Sequence, residues 1–175
     1  MIRVRRAVRE DAPALLSLID ALADYEKLNR PDDHARARLV QDGFECNPPR
    51  FRAYLAETDV GAPVGYAITF ETYSSFLARP TLYIEDVFVL PDARRHGAGS
   101  ALFRHLAREA LAGDCGRMEW VVLDWNELAQ NFYQRRGARC LSDWQYYRLT
   151  RDAIEQLAVE NNETPTLPEI EKTTP

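Results

Sequence analysis

The residues with the clearest chemical potential lie between positions 82 and 111, LYIEDVFVLPDARRHGAGSALFRHLAREAL. The run reads as a strand over 82–89, a Pro-marked turn over 90–92, a basic glycine-containing loop over 94–100, and then a helix. That helix carries Phe103, Leu106, Ala107, Ala110 and Leu111 at helical spacing. A strand that delivers a glycine loop into a helix N-terminus makes an anion site. The first-turn N–H groups have no partner inside the helix, the dipole adds partial positive charge, and glycine lets the backbone approach a phosphate. Gly97 and Gly99 stand where that approach is needed, and Arg94, Arg95 and His96 supply charge. A nucleoside triphosphate loop requires Lys and then Ser or Thr after its second glycine, whereas Ser100 and Ala101 follow Gly99. A dinucleotide fingerprint requires a third glycine where Leu102 stands.

Carboxylates and phenols form the second set. Strand alternation places Glu85 with Tyr83 and Val87, and Asp86 with Ile84 and Phe88, so the two acids share a face only if the strand is bulged. Glu26 falls near the end of the first helix, where the dipole disfavours an anion; it reads either as a partner for an external cation or as a solvated surface group. Tyr133 follows Asn126 by seven positions, two helical turns, which puts the helix cap and the phenol on one face.

The elements that must position these groups follow in chain order. Ile2 and Val4 alternate with arginines as an edge strand, Asp11 caps a helix with Pro13 in its first turn, and Leu15, Leu18, Ile19, Leu22 and Tyr25 form its apolar stripe. Asp32 or Asp33 caps a short helix over 34–41 ended by Gly43, with His34 at the surface. Strands over 51–57 and 64–73 make a hairpin, a second loop spans 73–80, and an apolar run over 118–123 reads as a buried parallel strand. Asn126 caps a helix over 127–136 that stops at Gly137. Residues 139–142 and 144–149 read as a closing antiparallel pair, and Thr150 caps a last helix with Ile154, Leu157 and Ala158 inward. Residues 1–158 are expected to form one α/β domain, a three-layer arrangement of a mixed sheet flanked by helices, and residues 159–175 a polar tail.

Composition bounds the rest. With 175 residues the chain is long enough for one proper core, and a net charge of −5 disfavours nucleic acid as a partner while suiting a cationic substrate. No apolar run approaches the ~18 residues of a membrane span, and the N-terminus lacks a hydrophobic signal core, so a cytoplasmic location is expected. Cys46, Cys115 and Cys140 are far apart without a Cys-x-x-Cys pair, and no metal is expected.

Arg94-x-x-Gly97-x-Gly99 resembles the pyrophosphate loop of the GNAT acetyltransferase superfamily. The likeness extends to Tyr25-Glu26, Asp42-Gly43-Phe44, residues 83–89, Trp125-Asn126 and the run from Asn131 through Tyr133 to Ala138. Together these resemble the diamine (spermidine/spermine-type) N-acetyltransferases, a group with a thialysine acetyltransferase branch. The resemblance implies a GNAT-type sheet and transfer from acetyl-CoA to a primary amine of a small cationic substrate by an enzyme that is a homodimer. It implies that backbone groups of Val87, Phe88 and Val89 pair with the pantetheine arm. Arg94, Arg95, His96, Gly97, Ala98, Gly99 and Ser100 would hold the pyrophosphate, and Asn126, Glu127, Leu128 and Ala129 would contact the coenzyme further. Tyr133 would be the general acid and also touch the coenzyme, Glu85 the base acting through water, and Tyr25, Glu26, Glu85, Asp86, Glu119 and Val121 the amine pocket. One departure stands out: family members often carry an acidic, glycine-containing insertion between the last two strands, and here that turn is only residues 141–144. A shorter amine or an amino-acid side chain thereby gains on a long polyamine.

Overall fold

The computed structural model describes residues 1–159. Their contacts fall into two compact units, one spanning Met1–Asp124 and the other beginning at Trp125. In the first unit, β1 (Arg3–Arg6) leads into α1 (Ala12–Glu26) and α2 (Asp33–Val40). The strands β2 (Arg52–Glu57), β3 (Pro63–Ser74) and β4 (Arg79–Val89) follow, then α3 (Ala98–Ala112) and β5 (Arg117–Glu119). The five strands lie in chain order in one sheet, antiparallel from β1 to β4 and parallel between β4 and β5.

Alternation along β2 separates two layers of packing. Ala53 and Leu55 join Leu15 and Leu18 of α1, together with Tyr66, Ile68 and Phe88, in one core cluster. Tyr54, between them, points the opposite way and donates from its hydroxyl to Glu109 Oε2 of α3 at 2.9 Å. Helices α1 and α3 therefore cover opposite faces of the sheet. Helix α3 buries Ala98, Ala101, Leu102, Phe103, Leu106 and Ala110, and each fully buried leucine contributes on the order of 2 kcal/mol. Burial and the Glu109 carboxylate push the Tyr54 hydroxyl up to about 12, so it stays a proton donor.

At the start of α1, Asp11 occupies the capping position, but its carboxylate is used elsewhere. It accepts from the Val8 N–H at 2.8 Å and from the Arg5 guanidinium at 2.6 and 2.8 Å, while Arg5 also reaches Glu57 Oε1 at 2.6 Å. One guanidinium thus ties β1, β2 and the entry of α1, and its hydrogen bonds hold the Asp11 carboxyl below the usual carboxylate range. Of the two aspartates open as the cap of α2, Asp32 takes the place, accepting from Ala35 N–H at 2.8 Å. The helix ends at Val40 and passes into a single π turn over Gln41–Glu45.

In the second unit, α4 (Glu127–Gln134) is capped by Asn126, whose side chain accepts from Ala129 N–H at 3.2 Å; it ends short of the expected residue 136, and the turn after it passes through Gly137 with φ 85°. Thr150 accepts from Ala153 N–H at the head of α5 (Arg151–Val159).

Several sequence expectations are corrected. The loop expected over 73–80 shrinks to a hairpin turn, because β3 runs to Ser74 and β4 starts at Arg79. The parallel strand expected over 118–123 is confined to Arg117–Glu119, and Val121, Val122 and Leu123 lie exposed beyond it. Residues 139–142 and 144–149 form no strand, and Trp144, Tyr146, Tyr147 and Leu149 are exposed. Alternating apolar residues become a strand only where a neighbouring edge completes the ladder, and among the described residues none pairs with them. Ile154, Leu157 and Ala158 of α5 are likewise exposed instead of inward. The polar tail from 160 onward lies outside the described residues.

Candidate active site

The organising strand β4 is longer than its ladder with β5. That pairing covers only Thr81, Leu82 and Tyr83, opposite Arg117, Met118 and Glu119. From Ile84 to Val89 the β5 side of the strand carries no ladder. Leu90 N–H donates to Val64 O, and Tyr66 stands opposite Phe88, so by alternation the backbone groups of Phe88 turn toward β3. Those of Val87 and Val89 turn the other way, into the unladdered edge.

At the end of that edge the chain makes a short 3-10 turn over Pro91–Ala93 and enters α3. The helix begins at Ala98, earlier than the loop expected over 94–100, so Ala98, Gly99 and Ser100 form its first turn. Gly97 is the capping residue with φ 88°, and a Cβ built on it would meet nothing within 4 Å. An open space over a left-handed glycine at the head of a 15-residue helix is the environment an anionic group requires. Arg95 also has positive φ, 67°, and His96 is exposed beside it. The Arg94 side chain makes its contacts toward α1. Its Nε donates to Val89 O at 3.0 Å, and its guanidinium lies 4.6 Å from the Tyr25 ring centroid and 5.6 Å from that of Phe88.

The acids are separated by a bulge. The register of β3 on β4 steps from Ile68 opposite Asp86 to Thr69 opposite Ile84, leaving Glu85 as the extra residue. Glu85 is exposed. Asp86 turns inward beneath α1, where the Tyr66 hydroxyl donates to its Oδ2 at 3.2 Å. Burial is the main cause that pushes the Asp86 carboxyl up to about 6; the charges of Glu85 and Glu26 add to it, and the Tyr66 hydrogen bond opposes it. Glu26, the last residue of α1, is raised by burial. Tyr66 is wholly buried, and burial with the neighbouring Asp86 and Glu26 drives its hydroxyl far above the ordinary range, so it acts only as a donor. The rings of Tyr25 and Tyr66 flank Phe88 at 6.1 and 6.5 Å. Tyr25, Glu26, Asp86, Phe88 and Arg94 are thus brought together, with Tyr66 as a member that sequence reasoning missed. Its only signal was the register of β3 on β4, which no single strand discloses.

Glu119 closes the β4–β5 ladder opposite Tyr83 and pairs with Arg117 at 2.9 Å, while Val121 lies past the strand end. In the second unit, Glu127, Leu128 and Ala129 make the first turn of α4 under the Asn126 cap. Tyr133 lies in its last turn, edge-on to Phe132 at 5.6 Å, and the Arg136 guanidinium covers Phe132 at 3.4 Å.

An α/β sheet whose fourth strand outruns its parallel neighbour, followed by a glycine-headed helix and flanked by the half-buried acids Asp86 and Glu26, suits an acyl-transferring enzyme. The Acetyltransferase (GNAT) family matches residues 15–138, and the chain belongs to that family: it is an acetyltransferase. It is 34% identical to the thialysine N-epsilon-acetyltransferase of Sus scrofa, over 90% of this chain and 97% of that one. To the L-ornithine N5-acetyltransferase NATA1 of Arabidopsis thaliana it is 29% identical, over 89% of this chain and 87% of that protein. Among solved structures, an integron cassette protein from the mobile metagenome of V. cholerae superposes with a TM-score of 0.76 at 22% identity. That superposition covers 91% of this chain and 98% of the other, which shows the shared fold.

Proposed function

We propose that the protein moves the acetyl group of acetyl-CoA directly to a primary amine of a small cationic substrate: a diamine, a polyamine or a thialysine-like amino acid. The observation that carries this reading is the unladdered edge of β4, which runs from two adjacent carboxylates to the open glycine at the head of α3. The coenzyme supplies an activated thioester and a thiol leaving group. Backbone groups of Val87 and Val89 hold its pantetheine arm. The amides from Arg95 through Ser100, with the Arg95 charge, hold its pyrophosphate.

The substrate amine arrives protonated, with a pKa near ~10, and must lose a proton before it can attack. Asp86, Glu26 and Tyr25 attract and orient the cation. Exposed Glu85 passes its proton to water. A phenol hydroxyl can act as a proton donor, and Tyr133 is the group assigned to protonate the departing thiolate. Glu119 and Val121 would form the outer wall.

The named relatives that act on thialysine and ornithine, both amino acids with a terminal amine, favour that arm of the substrate class, as does the short turn over 141–144. We extend the reading to a cytoplasmic homodimer, in keeping with the exposed Trp144, Tyr146 and Tyr147 and with the lack of any helix among the described residues able to cross a membrane. A peptide-modifying or non-catalytic coenzyme-binding role is the competitor. A thiol-release assay across diamines, polyamines, ornithine, thialysine and lysine peptides separates them. Release stimulated by small diamino compounds is expected, and release with peptides alone, or with no amine, overturns the proposal.

A further inference from the structure

The acid that the fold buries is held by a residue on the neighbouring strand. Resting on the reading of Asp86 as part of the amine site, we propose that Tyr66 is a positioning residue for acetyl transfer. Its buried hydroxyl fixes the Asp86 carboxylate and sets the pH below which the amine is no longer captured.

The geometry is specific. Asp86 reaches the α1 face because Glu85 takes up the extra position of the bulge; an unbulged strand would bring Asp86 to the opposite face. Once there it lies in a row with Ile68 and Ala53, the core residues of the next two strands, an apolar floor that offers a carboxylate nothing. The 3.2 Å hydrogen bond from Tyr66 is its polar anchor on that floor. Tyr66 is immobile, being wholly buried and packed against Phe88. Its hydroxyl can approach Asp86 from one direction, which fixes Oδ2 and leaves Oδ1 for a ligand.

The charged groups facing the pair are few. Glu26 faces it from α1 and Glu85 from β4 itself, both acidic, so each raises the proton affinity of Asp86. Arg94 is turned to Tyr25, Phe88 and Val89 O. The Tyr66 hydroxyl is therefore the group that opposes protonation. A donor to a charged acceptor is worth more than a neutral pair, so its loss should move the carboxylate's midpoint upward by about one pH unit.

The test uses the full chain with Asp carbons labelled at the carboxyl position and the Asp86 signal assigned by Asp86→Asn. In Tyr66→Phe, the Asp86 midpoint and the acid limb of kcat/KM should both rise by about one unit. In the Asp86→Asn background, which has no carboxyl at position 86 to titrate, the same substitution should leave the remaining pH profile of kcat/KM unchanged. Should Tyr66→Phe fail to fold, site-specific 3-fluorotyrosine at position 66, a stronger donor of the same shape, should lower both values instead. An Asp86 midpoint indifferent to these changes, or an additive effect in the double variant, overturns the inference. If Asp86→Asn leaves the acid limb intact, the assignment of Asp86 to the amine site fails. If Asp86→Asn abolishes the limb but Tyr66→Phe leaves it in place, only the role of Tyr66 fails.

Discussion

The guanidinium of Arg94 lies 4.6 Å from the centre of the Tyr25 ring, and its Nε is bonded to the carbonyl of Val89. The segment that leaves β4 is thereby clamped to the last turn of α1, which links the proposed coenzyme loop to the proposed amine pocket through one side chain. Arg94 was expected among the phosphate ligands, and its side chain lies against an aromatic face and a backbone carbonyl. Removing the side chain should loosen both ends of the link at once. Arg94→Ala is expected to cost about 1–2 kcal/mol of stability in denaturant unfolding and to raise the amine KM more than the coenzyme KM. A rise confined to the coenzyme KM would restore the phosphate role.

Gly97→Ala separates backbone strain from ligand exclusion. At φ 88° a side chain costs about 1–2 kcal/mol, and the space around the new Cβ is empty, so the protein should still fold. Gly61, with φ 80° and equally open surroundings in the turn before β3, is the matched control. Both variants should lose similar stability, but only Gly97→Ala should weaken coenzyme binding, by tenfold or more in calorimetry. Equal coenzyme affinity in the two would remove the head of α3 from the site.

Asp86 trades stability for function. Its folded-state carboxyl sits at about 6, above the unfolded value near ~3.9, so the folded protein holds that proton more tightly. The stabilisation this gives is complete below pH ~4 and is lost as the pH rises through about 6; above that the buried anion is a net cost. Asp86→Asn should therefore raise stability by about 1–3 kcal/mol at pH 7.5 and have little effect at pH 4, while activity falls. Thermal unfolding at the two pH values checks the sign, and a variant destabilised at pH 7.5 would contradict it.

Glu85→Gln and Tyr133→Phe address the proton path. Each should lower turnover by about a hundredfold or more while the coenzyme dissociation constant stays within about twofold, because neither group is assigned to binding the coenzyme tightly. Wild-type turnover in both variants would leave proton transfer to solvent.

Much of this arrangement is legible in local sequence. Pro13 in the first turn of α1 and Asn126 three residues before the N–H that it caps are short-range signals. The structure carries each of them as the chain states it. The parity of Glu85 and Asp86 posed a question that sequence could phrase but not answer, since a bulge is a property of two strands in register. Residues 139–149 carry a strand pattern and form no strand, because pattern without a partner edge leaves backbone groups to solvent.

By itself the sequence determined elements whose causes are local: the Asn126 and Thr150 caps, the apolar stripe of α1, and the glycine turn that leads from β4 into α3. Which acid is buried, which tyrosine holds it, and that Arg94 turns to an aromatic ring were decided only by the tertiary structure. Those outcomes depend on one extra residue in the register of β3 against β4 and on the face of the sheet that α1 covers. Both are long-range pairings, fixed by hydrophobic burial across the whole first unit and not by any neighbour in the chain.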